Sequence, residues 1–311
     1  MDFSFGPVPS RRLGRSLGIN NVVPKTCTYS CIYCQLGKTL NFTSKRERFY
    51  DPDELVASVR ERVNELRSRG IRIDYLTFVP DGEPTLDKNL GKEIELLKDL
   101  GIRIAVITNS SLIWDENVKD ALINADWVSF KIDSVNEKVW KKINVPFRDL
   151  DLEKILNGII DFSKNFHGIL NTETMLVKGV NDFDIDETAK FIGEINPEKA
   201  YISVPTRPPA LEWVKIPDEK TILNAYNIFR KYIKNVETLT DFEGDDFTTL
   251  GNTLNDIMGI ISVHPIREDA LKKILEGRNI PWENIENLVS KGLIKKENYM
   301  GNNYYIKKLK I

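Results

Sequence analysis

Cys27, Cys31 and Cys34 are all the cysteines the chain has, and they fall within one short stretch, KTCTYSCIYCQ (25–35). The Cys-x3-Cys-x2-Cys spacing lets three thiolates turn toward one soft metal centre. Three is one ligand fewer than a closed structural zinc site uses, so a coordination position stays open for chemistry. A disulfide framework fits poorly, because the count is odd, neighbours would have to pair locally, and no secretory signature precedes them. Zinc stays open as an alternative if His167 or His264 supplies a fourth ligand, although neither sits at finger-like spacing; otherwise both read as ordinary exposed or satisfied side chains. A three-cysteine iron–sulfur cluster is the reading these residues favour.

Something must hold such a loop, and the rest of the chain reads as alternating strands and helices. Apolar β-type runs fall at 17–23, 75–79, 103–107, 127–132, 169–176 and 200–204. Between them lie helical patterns. The clearest begins at Asp51 and Pro52, carries Leu55, Val56, Val59, Val63 and Leu66 on one face, and stops at Gly70. Six strands, each followed by helix, imply a parallel sheet with right-handed crossovers. The periodicity is equally compatible with an open partial barrel and with a flat doubly wound sheet. A helix over 218–233 and the segment to Leu239 would close this domain.

The cysteine motif, with an aromatic at Tyr33 just before its last member, resembles the signature of the radical S-adenosylmethionine (SAM) enzymes. The sequence DGEPTL (81–86) after the second strand resembles that family's glycine-glycine-glutamate motif, with Asp81 in place of a glycine. The resemblance implies a partial (βα)6 parallel barrel. It also implies a 4Fe–4S cluster held by Cys27, Cys31 and Cys34, whose open iron is chelated by the amino and carboxylate groups of SAM. Tyr33 would then pack near the adenine, and Gly82, Glu83 and Pro84 would lie near the amino group, with the Gly82 backbone making the approach. Asn109, ending the third strand, would face the ribose or carboxylate, unless it simply caps the next helix.

In barrels of this type chemistry gathers where strands end. Lys131 and Asp133 alternate onto one face of the fourth strand, where they suit a zwitterion; a salt bridge at the rim is the alternative. Glu173 and Met175 alternate in the same way on the fifth strand, which runs into the loop of Lys178. Arg207 follows the sixth strand on a proline-rich segment. Together with Arg11, Arg12, Arg15 and Lys178, it is a candidate for the substrate side, against the alternative of surface cations without a role.

A second unit begins near an acidic stretch, giving domains at 1–243 and 244–311. Helices and a terminal hairpin around Gly301 and Asn302 make the second one winged-helix-like. Its lysines, among them Lys295, Lys296, Lys307, Lys308 and Lys310, could form a docking face but read better as a solvated one. The formal charge of −2 argues against a nucleic-acid coat over the whole molecule. Lacking an apolar leader or span, the chain is expected in the cytoplasm.

More narrowly, GPVPSRRLGRSLGIN before CTYSCIYC is similar to a group of small iron–sulfur oxidoreductases related to the enzyme that builds the wybutosine base of tRNA. This relation makes RNA, tRNA first, the expected substrate. No cysteine is left for a second cluster, so the wybutosine reaction itself does not transfer. Two alternatives stand beside this reading: an activase installing a glycyl radical on a protein, and a non-catalytic binding module in which the cysteines hold a structural metal. The radical reading implies an external one-electron donor, such as a flavodoxin or ferredoxin.

Overall fold

The computed structural model describes residues 3–240 and 253–308. The chain opens with an antiparallel hairpin, β1 (Ser4–Ser10) and β2 (Gly14–Ile19). A two-residue parallel pair, β3 (Thr26–Cys27) and β4 (Asn41–Phe42), brackets the cysteine loop. Then come α1 (Pro52–Ser68), β5 (Tyr75–Phe78), α2 (Leu90–Leu97), β6 (Arg103–Thr108), α3 (Glu116–Leu122) and β7 (Trp127–Lys131). The series continues with α4 (Glu137–Asn144), α5 (Leu152–Asn165), β8 (Ile169–Met175), α6 (Asp186–Ile195), β9 (Lys199–Ser203), α7 (Glu219–Tyr232) and β10 (Val236–Leu239). The six expected strands are all present. β1, hidden in the sequence by its glycine and prolines, and the four-residue β10 extend the sheet at its two edges.

The strand order β1-β2-β5-β6-β7-β8-β9-β10 decides between the two architectures. Every pair from β2 onward is parallel. A doubly wound sheet must reverse its order somewhere, to send helices to both faces. Here the order never reverses, so right-handed crossovers place all the helices on one face. Neighbouring helices accordingly pack side by side, α1 on α2, α2 on α3, α5 on α6 and α6 on α7. The result is a singly wound open sheet whose other face is left for the site.

Alternation along each strand separates the two faces. Leu76, Phe78, Ile104, Val106, Val128, Phe130 and Ile202 join the helices in the main core. Leu55, Val59, Val63 and Leu66 of α1 meet them there, as the sequence pattern implies. The inner face instead carries Ser16, Thr77, Ser129 and Asn171, all buried, and then the ionic group at its rim. Strand register sets Lys131 beside Glu173. Lys131 Nζ lies 2.8 Å from Glu173 Oε1, to which Ser203 Oγ donates at 2.9 Å. Arg12, from the β1–β2 turn, donates to the other oxygen. Burial by itself would raise the Glu173 carboxyl, but Lys131 and Arg12 outweigh it and hold it down to about 2.

The C-terminal elements are α8 (Thr253–Val263), β11 (Ile266–Arg267), α9 (Glu268–Glu276), α10 (Glu283–Ser290), β12 (Ile294–Tyr299) and β13 (Asn302–Lys307). Their antiparallel sheet runs β11-β13-β12 over a separate core of Ile257, Ile260, Leu271, Ile285, Ile294 and Tyr305. The expected hairpin is there, and β11 adds a third strand. The expected boundary at 243/244 lies outside the described residues. This unit is docked rather than tethered: Val8 of β1 packs on its core, and Arg62 Nη2 of α1 reaches Asp256 Oδ1 at 2.7 Å. The Tyr299 and Tyr304 hydroxyls donate to the carbonyls of Pro205 at 2.8 Å and Thr206 at 3.1 Å. Among the described residues no helix is long and apolar enough to cross a membrane.

Two outcomes follow from this packing. A Cβ on Gly18 would lie 2.1 Å from Cζ of Phe5, its cross-strand partner. Gly18→Ala is therefore expected to lower stability by about 1–3 kcal/mol in urea unfolding. Glu173 contributes stability above its ordinary carboxylate range that is lost as pH falls from about 4.5 toward 2. Glu173→Gln should cost about 3 kcal/mol at pH 7, and its deficit relative to the wild type should shrink as unfolding is measured at successively lower pH.

Candidate functional site

The cysteine loop leaves the C-terminal end of β2 and is fixed from several sides by other strand-end loops. Lys25 N donates to Asp81 O at 2.7 Å, and Glu83 N to Thr26 O at 3.0 Å. This close backbone approach requires a residue without a side chain: a Cβ on Gly82 would lie 2.1 Å from Thr26 O. From beyond β7, Phe147 N donates to Thr28 O at 2.9 Å, while Ser30 N and Ile32 N donate to the carbonyls of Asn144 at 3.1 Å and Ile143 at 3.0 Å. From beyond β9, Leu211 N reaches Ile32 O at 3.1 Å. Each anchor belongs to the same rim of the sheet.

Two amide side chains point donors at the sulfurs. Asn109 Nδ2 is 3.6 Å from Cys27 Sγ and 2.7 Å from Thr28 Oγ1. Asn144 Nδ2 is 3.5 Å from Cys31 Sγ and 2.6 Å from Asp133 Oδ2. Asn109 was expected in this neighbourhood. Asn144 had no signal in the sequence; it arrives because α4 ends there, and Val145 then turns the chain through a left-handed conformation, φ 44°.

Several expected contacts take a different form. Glu83 is buried, and its carboxylate accepts from Thr85 N at 3.1 Å, Thr85 Oγ1 at 2.7 Å, Thr108 Oγ1 at 2.6 Å and Asn109 N at 2.8 Å. It ties the end of β5 to the end of β6 and presents no open oxygen to a ligand. Pro84 is buried beside it, its carbonyl accepting from Asn21 Nδ2 at 3.1 Å. Lys131 and Asp133 share a face, as alternation implies, but they are not an open pair of opposite charges. Lys131 is engaged with Glu173, its Nζ 5.0 Å from the Tyr33 ring centroid. Asp133 is buried, accepting from the Tyr33 hydroxyl, Asn144 Nδ2 and, at 2.8 Å, Met175 N. Tyr33 thus locks the cysteine loop to the end of β7.

The candidate substrate cations separate. Arg12 is on the inner wall, with Arg11 in the same turn. Arg15 is exposed, its backbone N–H on Asp74 Oδ2 at 2.9 Å. Lys178 is exposed on the loop after β8, whose Val177 and Val180 pack with Ile32 and Tyr33 of the cysteine loop. Arg207 forms a joint: Nη1 donates to Gln35 Oε1 at 2.7 Å, and Nη2 meets His264 Nε2 at 2.6 Å. Gln35 Nε2 adds a bond to Val263 O at 3.2 Å. With His264 Nδ1 against Pro265 O and His167 exposed after α5, neither histidine is presented to the cysteines as a fourth ligand.

The donor set fits an iron–sulfur cluster. Burial pushes the Cys27 thiol well up, with Glu83 and the other two sulfurs adding to the effect. The Cys31 thiol is pushed up to about 12 by burial and then by Asp133, and Cys34 is raised by burial against the pull of Lys25 and Lys131. Three crowded sulfurs that disfavour one another's negative charge become stable thiolates when cationic iron sits among them. Among the described residues no three His, Cys, Asp or Glu side chains converge on a single-ion site.

Known proteins agree with this geometry. Residues 21–192 match the Radical SAM superfamily. The UPF0026 protein MJ1312 of Methanocaldococcus jannaschii is 48% identical over 314 residues, covering 100% of this chain and 97% of that protein. Among solved structures, a radical SAM methyltransferase from Sphaerobacter thermophilus superposes with a TM-score of 0.55 at 16% identity, covering 72% of this chain and 66% of the other. TYW1 with a lysine-pyruvate adduct bound superposes at 0.53 and 17% identity, covering 70% and 73%. At those identities the two structures speak for the fold alone. With its three-cysteine loop on an α/β, mostly parallel sheet, the chain belongs to the radical SAM superfamily and, within it, to the UPF0026 proteins, as an enzyme whose cofactors are a 4Fe–4S cluster and S-adenosylmethionine.

Proposed function

We propose that the chain is a one-cluster radical enzyme in which Cys27, Cys31 and Cys34 hold three irons of the cluster and the fourth iron receives SAM. The observation that carries this reading is the clamped loop, with Asn109 and Asn144 aimed at two of its sulfurs. When bound, the pair supplies one-electron cleavage of a carbon–sulfur bond in SAM, giving methionine and a 5′-deoxyadenosyl radical that takes a hydrogen atom from substrate. The chain's own residues do the positioning. Gly82 lets the loop seat against the β5 rim. The amide donors of Asn109 and Asn144 stabilise thiolate charge. Tyr33, Asp133 and Asn144 fix the loop against β7, and Glu83 fixes Asn109.

Arg12, Lys131 and Glu173, paired with one another, are the charged groups of the inner wall toward the same rim, where a polar part of cofactor or substrate would meet them. An RNA substrate, tRNA first, is the reading that the relation to the wybutosine group favours. The C-terminal unit, with its helices and three-stranded sheet, reads as a winged helix forming a second domain over 244–311. Its lysines lend the RNA reading little support. Lys295 pairs with Glu297 at 2.6 Å, while Lys296 and Lys272 pair with Glu268 at 2.6 and 3.0 Å. These three lysines carry their own counter-charges.

Anaerobic reconstitution followed by reduction with dithionite and SAM tests the chemistry. The wild type is expected to yield 5′-deoxyadenosine and methionine, and Cys31→Ala to yield neither; a reconstituted protein with zinc and no iron–sulfur absorption would overturn the reading. Gly82→Ala is expected to displace the loop and lower iron and sulfide content while far-ultraviolet circular dichroism stays unchanged. Salt-dependent binding of tRNA would support the RNA reading, and salt-independent or absent binding would remove it.

A further inference from the structure

The outer side of the cysteine loop carries an apolar surface that the catalytic reading does not use. Cys27 and Phe42 are register partners in the β3–β4 pair, so their backbones lie about 4.8 Å apart. Thr43 N donates to Cys27 O at 3.2 Å. Phe42 packs edge-on against Phe147, with ring centroids 5.3 Å apart. Phe147 is itself bonded through its N–H to the carbonyl of Thr28. Leu40 is 55% exposed, Phe42 37% and Val145 38%. Exposed apolar groups gathered on one segment that pairs with the first cysteine and another that bonds the residue after it call for a partner.

The charges around them indicate its chemistry. The stretch 38–48 holds Lys38, Lys45, Arg46 and Arg48 against the single carboxylate Glu47, in a chain of net charge −2. Arg46 turns inward to the carbonyls of Thr85 and Asp87. Lys45 pairs with Glu47 at 3.3 Å and Arg148 with Asp149 at 3.5 Å, all four well exposed. Lys38 and Arg48 are exposed and have no ion-pair partner among the described residues. A cationic rim around an apolar centre suits a small acidic protein that docks briefly under electrostatic steering. Two uncompensated cations are too few for an RNA backbone, whose binding draws on about 6–10 phosphate contacts. A second copy of the chain would bring like charges together.

We propose that this face, centred on Phe42 and Phe147 and rimmed by Lys38, Arg48 and Arg148, receives an acidic one-electron carrier protein. The proposal rests on the reading that Cys27 is a cluster ligand. One electron leaves the reduced carrier and enters the chain beside Cys27; no atom is transferred, and the electron is consumed in cleaving SAM. The closeness of the patch to Cys27 keeps the transfer distance short, and a small, partly polar contact lets the oxidised carrier leave.

The test compares the wild type with a Lys38→Glu, Arg48→Glu, Arg148→Glu variant and with Phe42→Ser. Binding of oxidised flavodoxin to the full chain, with and without its cluster, is measured by calorimetry over a series of salt concentrations. SAM cleavage is driven in parallel by reduced flavodoxin and by dithionite. Charge reversal is expected to weaken flavodoxin binding and flavodoxin-driven cleavage about tenfold or more, and to remove most of their salt dependence, with iron content and dithionite-driven cleavage unchanged. Phe42→Ser should weaken binding at all salt concentrations. Flavodoxin binding and flavodoxin-driven cleavage that ignore these substitutions would overturn the proposal, as would a tRNA complex or a chain dimer lost on charge reversal while flavodoxin binding persists. Failure of dithionite-driven cleavage in the wild type would count instead against the catalytic reading, and the binding measurements would still decide the docking face.

Discussion

The approach of two backbones at Thr26 and Gly82 is the constraint on which the site depends. The cysteine loop has no regular secondary structure beyond the two residues of β3, and a loop of that kind acquires a fixed shape only by borrowing it. Its hydrogen bonds go to the segments that follow β5, β7 and β9, the end of α4 among them. Those segments are fixed in turn by a sheet whose strands never change order. Were the Thr26–Gly82 contact forced apart, Glu83 would move with it, and with Glu83 the bonds that orient Asn109. One missing side chain thus keeps a chain of positions in register from the first cysteine to the end of β6.

The polar network around the loop shows how a buried site can be rigid without being apolar. Asp133 accepts three hydrogen bonds and Glu83 four, and in both cases burial raises the carboxyl while the bonds oppose it. Satisfied groups of this kind specify a single arrangement, because any alternative packing would strand a buried acceptor. Glu173 is the contrasting case. Its two cationic neighbours keep it ionised, so the inner wall carries fixed charge where the rest of the rim carries dipoles.

Much of the scaffold was legible in the sequence because parallel strands covered on one face by helices are written as apolar runs separated by helix-period segments. The three cysteines were legible from spacing alone. What escaped was whatever depends on register or on long connections. Alternation put Lys131 and Asp133 on one face, but nothing in the sequence said that Glu173 would stand beside Lys131 or that Tyr33 would reach Asp133. Asn144 and Gln35 were missed for the same reason: the bonds from Asn144 to Cys31 and Tyr33, and both bonds of Gln35, are made across more than a hundred residues of intervening chain. β1 was missed because a glycine- and proline-rich stretch carries no strand period, and it is paired all the same because β2 presents an edge. The sequence marked Glu83 through its motif but carried no sign that its carboxylate would accept from Thr85, Thr108 and Asn109, since a motif fixes a residue's place without saying which way its oxygens face.

The joint made by Arg207 has a consequence for biogenesis. Gln35, next to the last cysteine, is held by a guanidinium that also grips His264, and the Val263 carbonyl holds it a second time. A ribosome delivers residues 253–308 only after every strand of the large sheet has emerged. Until then Gln35 lacks Val263, one of its two hydrogen-bond partners, and β1 lacks the helix that packs on it. Metal loading of the nascent chain would therefore meet a loop still missing part of its wall.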